Sequence, residues 1–131
     1  VVERPEDADL ALAAVSTPHE VLHPGHFFGS RYREGSTGFR DGDAVFEALR
    51  QISAQVPMVL AVGMDRPAEL SRVAPLAAAI VATFGLSIDA LLDVLLGLHR
   101  PMARLPYDLP WADEGGPPPE MAVRLGQGLR Y

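Results

Sequence analysis

The sequence predicts an α/β fold: a mostly parallel sheet flanked by helices, as in a three-layer α/β/α sandwich. Three observations predict it. Short apolar stretches alternate with helical ones in the order strand, helix, strand, helix, strand, helix, the pattern of βαβ units on a parallel sheet. The strand-like stretches are apolar throughout, as strands covered on both faces are. The chain has 131 residues, 48% of them hydrophobic, which suits one domain with a real core.

The elements follow in order. Residues 1–7 are polar, contain Pro5 and read as a linker end. Asp9 to Ser16 is the first strand, stopped by Pro18. Residues 17–42 form a long loop that holds Pro18, Pro24 and five glycines, with Phe27, Phe28, Tyr32 and Phe39 between them. Loops above roughly 15 residues are uncommon in compact domains unless they work or are disordered, and interleaved aromatics argue against disorder. Asp43 is placed to cap a helix running to about Gln55, with Val45, Leu49, Ile52 and Val56 on one face. Met58 to Gly63 is the second strand. Asp65-Arg66-Pro67 turns the chain, and a short helical stretch is expected near Ala68 to Leu76. Ala77 to Phe84 is the third strand, although its alanines favour helix. Ser87 caps the last helix, Ile88, Leu91, Leu92, Leu95 and Leu96 make its apolar face, and Gly97 ends it. Residues 98–131, with Pro106, Pro110 and Pro117 to Pro119, are an irregular tail.

Composition excludes several functions. Without cysteine there is no disulfide and no thiolate metal site. A net charge of −6 argues against nucleic acid as a partner. No apolar run is long enough to span a bilayer, so no membrane partner is expected; Val73 to Phe84 is too short and holds Pro75. No Gly-x-Gly-x-x-Gly follows a strand and the chain has no Lys, so phosphate loops are excluded and no cofactor is expected. Residues 1–7 show no signal peptide, but a chain that begins with Val need not begin where its protein begins, and location stays open.

Five phrases in the second half stand in a fixed order. A strand ends in Gly63-Met64-Asp65-Arg66-Pro67, and Ala79-Ile80-Val81-Ala82-Thr83-Phe84-Gly85 follows. Next come the helix Asp89 to Gly97, the segment Pro101 to Pro110 with Arg104-Leu105-Pro106 inside it, and the closing Gly126-Gln127-Gly128-Leu129-Arg130-Tyr131. In this order they resemble the end of the second domain of family 3 glycoside hydrolases of the β-glucosidase type. Residues 57–131 carry the match, and residues 9–56 fit it less tightly. The resemblance implies that residues 1–131 are the C-terminal portion of an α/β-sandwich domain. That domain packs on a (β/α)-barrel, absent from this chain, which holds an Asp nucleophile. It implies a retaining, exo-acting β-glycosidase with a carbohydrate substrate. A loop of this domain would line one wall of the sugar pocket and supply the acid/base Glu. Without the barrel the chain is expected to be inactive, and a truncated sheet should leave an edge unpaired. The alternative is a freestanding α/β binding module without catalysis.

A retaining glycosidase needs two carboxyl groups about 5–5.5 Å apart, and its acid needs a raised pKa. In open α/β sheets ligands meet the loops beyond the carboxyl ends of the strands. Glu20 and Glu34 are the acid/base candidates on the loop that follows the first strand. Many family members have a Gly-Glu-x-Pro-Tyr-x-Glu-like stretch there; this chain keeps Pro18 and Glu20 but not the Gly-Glu pair, and taken singly each reads first as a solvated loop carboxylate. His19 and Tyr32 are candidates for contact with the sugar, while Phe27 and Phe28 are expected to pack the loop onto the sheet. His19, His23 and His26 are close together, but Pro24 and Gly25 interrupt their spacing, so no metal is expected. Asp65 and Arg66 read as a local ion pair or a turn hydrogen bond, and Asp89 and Asp93 as solvated.

Overall fold

The computed structural model describes residues 2, 4, 7–111 and 124–128. Its centre is a three-stranded parallel sheet in the order β1 (Ala11–Ser16), β2 (Met58–Gly63), β3 (Ala79–Thr83). Two helices flank it, α1 (Ala44–Ser53) and α2 (Ile88–Leu95). The fold is α/β, as the alternation of elements predicts.

Register explains the composition of the strands. Ala11 stands beside Met58, Ala13 beside Leu60 and Ile80, and Val15 beside Val62 and Ala82. These side chains share one face, because alternate residues of a strand point the same way. Phe46 and Leu49 of α1 join this face in the core, with Phe39, Met64, Leu70 and Val73 from the connections. The central strand β2 is the most deeply covered, with Met58, Leu60 and Val62 at 0% exposure. β1 alternates between half-buried and exposed residues because its second face carries Leu12, Ala14 and Ser16. Each outer strand pairs only with β2, so among the described residues both edges of the sheet are open. Open edges are templates for further strand pairing.

The side of α1 that packs differs from the expected face. Val45 is exposed, and Phe46 is buried beside Leu49. Phe46 offers more apolar area to the core, and Arg50 and Arg72 lie over its ring with centroid distances of 5.9 and 5.2 Å. Asp43 occupies the N-cap position, but its carboxylate makes no bond to the helix; Oδ2 accepts from the Arg40 amide at 3.2 Å. The stretch expected to be helical near 68–76 is turns ending in one 3-10 turn, Ala74–Leu76.

α2 follows its local signals closely. Ser87 Oγ accepts from the Ala90 amide at 3.3 Å, a bond that removes one orphan donor of the first turn. Gly97 adopts φ 75° at the C-terminal end, where a Cβ would be strained. Only Leu91 of its apolar face is buried; Ile88, Leu92 and Leu96 remain exposed. The start of α2, with Leu86, Ser87, Ile88 and Leu91, borders a cleft of about 280 Å³ floored by Ala14, Ala61 and Gly63 from the second face of the sheet.

The described part of the tail holds no regular element, yet it is ordered by contacts. Leu105 donates to Gln127 O at 2.8 Å and Gly126 donates to Leu105 O at 2.9 Å. Arg104 adds a bond to Gly126 O at 3.0 Å. A Cβ on Gly128 would stand 2.5 Å from Ala103 O, so this position needs glycine for close approach. Two phrases separated in the sequence, Arg104-Leu105-Pro106 and Gly126-Gln127-Gly128, therefore form one clasp. Pro117 to Pro119 and Leu129 to Tyr131 lie outside the described residues.

Candidate active-site loop

The carboxyl ends of β1 and β2 carry the loop 17–42 and the turn 64–67. Their junction is built on Thr17, which is 2% exposed. Its amide donates to Gly63 O at 2.9 Å, and its hydroxyl lies 3.2 Å from Gly63 O and 3.0 Å from Arg66 O. The long loop is not structureless. Glu20 and Glu34 pair as an antiparallel bridge, with Glu20 N to Glu34 O at 2.9 Å and Glu34 N to Glu20 O at 3.2 Å. A 3-10 turn, Gly29–Arg31, lies within the closed segment. Further on, Gly38 bridges Glu69 and buried Phe39 joins the core.

The bridge brings the two acid/base candidates together at the backbone, and their side chains take different partners. Glu20 Oε1 accepts from Arg40 Nη1 at 3.0 Å. Gly35, at φ 64°, lies against this carboxylate so closely that a Cβ there would stand 1.9 Å from Oε2. Glu34 accepts from His23 Nδ1 at 2.9 Å and from the Leu22 amide at 3.3 Å. The His23 hydrogen bond holds the Glu34 carboxyl below its ordinary value of 4.5. Hydrogen bonds and a nearby positive charge both favour the charged carboxylate.

The sign of this shift gives a pH dependence. A carboxyl whose pKa is lowered in the folded state stabilises the fold fully above its unfolded pKa, and this contribution is lost as pH falls through the lowered value. The clasp that holds the segment 20–34 is therefore expected to loosen below about pH 4.5. Amide exchange at Leu22 measured against pH checks this: protection should fall in that range in the native chain and show no such fall in Glu34→Gln, whose side chain accepts the same bond but does not titrate.

His19 and Tyr32 lie on the same loop and both are exposed. Arg33 Nη1 is 3.0 Å from both ring nitrogens of His19, and Arg33 Nε is 3.4 Å from Asp65 Oδ2. His23 and His26 face each other with ring centroids 5.2 Å apart. No group of three or more His, Asp or Glu side chains that could hold a metal forms among the described residues. Phe27 and Phe28 do not pack the loop onto the sheet. They stack edge to face at 4.5 Å, and Phe27 is 93% exposed. Asp89 is exposed, whereas Asp93 lies 3.8 Å from His99 Nε2.

The sequence reading missed Arg66. It does not pair with Asp65, which faces Arg33 instead. The Arg66 guanidinium reaches into the loop. Nη2 donates to Pro18 O at 3.2 Å, Glu34 O at 3.0 Å and Ser36 O at 3.5 Å, and Nη1 donates to Gly35 O at 3.3 Å. Its partners stand 30 to 48 positions away in sequence, so no local spacing signals them.

No protein-family model and no solved structure matches the chain significantly. Curated proteins do. The chain is 44% identical over 110 residues to a periplasmic β-glucosidase/β-xylosidase of Dickeya chrysanthemi. Over the same length it is 37% identical to a probable β-glucosidase C of Aspergillus flavus and 33% identical to β-glucosidase C of Emericella nidulans. Each match takes in 84% of this chain, and the chain spans about 17% of the length of each of these relatives.

Proposed function

We propose that this chain is a region of a longer retaining, exo-acting β-glycosidase that hydrolyses O-glycosyl bonds. In this reading it is the C-terminal portion of an α/β-sandwich domain and has a (β/α)-barrel as its partner. β-Glucosides and β-xylosides are the substrate class. The observation that carries the reading is its 33–44% identity over 110 residues to proteins named β-glucosidase or β-glucosidase/β-xylosidase. The position of the loop 17–42 supports it, because this loop leaves the carboxyl end of a parallel strand, where α/β sheets meet ligands.

The loop forms one wall of the sugar pocket, and one of its two bridged glutamates is the acid/base. Glu20 suits the role better. A general acid must hold its proton near the working pH, and His23 drives Glu34 the other way. Glu20 has one basic partner, Arg40, across an exposed contact that is worth only about 0–1 kcal/mol, so an arriving sugar can displace it. His19 and Tyr32, exposed on the same loop, contact the sugar's hydroxyls and ring. The nucleophile is an Asp of the barrel.

One carboxylate cannot run a double displacement. The isolated 131-residue chain is therefore expected to release no nitrophenol from 4-nitrophenyl β-glucoside or β-xyloside, while the longer protein turns over at least one of them. Turnover by the chain alone would contradict this assignment. Tight sugar binding, with no hydrolysis when the chain is part of the longer protein, would favour a non-catalytic binding module.

A further inference from the structure

We infer that Arg66 is a positioning residue for the acid/base: its guanidinium fixes the bridged pair Glu20–Glu34 by gathering the carbonyls of Pro18, Glu34, Gly35 and Ser36. This inference rests on the proposed glycosidase reading. Four acceptors from two stretches of one loop converge on two nitrogens, at 3.0 to 3.5 Å. Two of the four flank the bridge: Pro18 lies two residues before Glu20, and Gly35 directly follows Glu34. No carboxylate compensates the guanidinium among the described residues, and its Nε is buried without a partner. Carbonyl dipoles of the loop therefore solvate the charge, and any other loop path would leave it poorly solvated in a half-buried place. Arg66 is itself held from behind, because Thr17 Oγ1 donates to its carbonyl.

Lys cannot replace this arrangement, since a planar fork reaches several acceptors at once and an ammonium is a point charge. A catalytic group moved by about 1 Å can cost on the order of 100-fold in rate.

The test uses the longer protein and two β-glucosides. Methyl β-glucoside has a poor leaving group that needs protonation, and 2,4-dinitrophenyl β-glucoside leaves without it. Arg66→Lys is expected to lower kcat/KM for the methyl glucoside about 10- to 100-fold and to change the dinitrophenyl substrate less than about threefold. Equal losses on both substrates, or no loss on either, would overturn the inference. If Arg66→Lys fails to fold by its melting transition, Thr17→Val is read in the same way: a selective loss on the methyl glucoside supports the inference, and any other pattern overturns it. The glutamate variants separate the two ideas. A selective loss in Glu20→Gln or Glu34→Gln with none in the Arg66 and Thr17 variants leaves the glycosidase reading standing and removes Arg66 from it. No selective loss in either glutamate variant removes both.

Discussion

Replacing Glu20 by Gln in the longer protein is expected to lower kcat/KM for alkyl β-glucosides by about 10²–10⁴-fold, the contribution of a positioned general acid. The variant should hydrolyse dinitrophenyl glucosides far better than alkyl ones, because a good leaving group needs no proton. Gln keeps the size and the hydrogen-bonding reach of Glu20, so the contact with Arg40 Nη1 can persist while the proton donor is lost. Added azide should then be glycosylated in place of water, giving a β-glycosyl azide that is seen directly by NMR. Glu34→Gln is expected to act more weakly, through the loop. It removes the charged partner of His23 and leaves the backbone bridge to Glu20 in place. If Glu34→Gln shows the large selective loss and Glu20→Gln does not, the acid/base assignment passes to Glu34.

The second large effect is on stability. Leu60 lies at the centre of the middle strand with no exposure, flanked by Ala13 and Ile80. Leu60→Ala is expected to cost about 2–5 kcal/mol, the lost transfer energy plus the cavity left behind. That is a large share of the 5–15 kcal/mol by which a typical domain is stable. Neighbours of Leu60 are small on one side, where β1 offers Ala11 and Ala13, so little is available to close the gap. Leu12→Ala on the second face of β1 should cost clearly less than Leu60→Ala, since Leu12 keeps 36% of its surface exposed and its truncation leaves no closed cavity. Urea unfolding of both variants checks the contrast: similar losses would mean that the two faces of the sheet are covered alike.

What could be read from the sequence was what is local. The helix that Ser87 opens and Gly97 closes is fixed by two residues in contact with its own backbone, so a linear reading suffices. The three strands are continuous apolar runs bounded by Pro or Gly, and their order alone gives a parallel α/β sheet. The face of α1 was less legible. Val45 and Phe46 are neighbours, both compatible with Leu49, and the core decides between them through shape and volume. Glu20, Glu34, His19 and Tyr32 could be nominated because of their place after the first strand. Their partners could not, because Arg33, Arg40 and His23 reach them by the fold of the loop. Arg66 was the least legible of all. It looks like half of an ion pair with Asp65, yet its acceptors are backbone carbonyls, which have no sequence signature. Phe27 shows the opposite error: an aromatic residue expected to pack stands at the surface, 93% exposed.

The central claim is that these 131 residues are one wall of a glycosidase whose nucleophile lies elsewhere in the same protein. Sequencing the coding DNA upstream of the codon for Val1 tests it most directly. The account predicts an open frame that continues into a (β/α)-barrel domain bearing a suitably placed Asp. A start codon at or just before Val1, with no barrel gene adjacent, would contradict it.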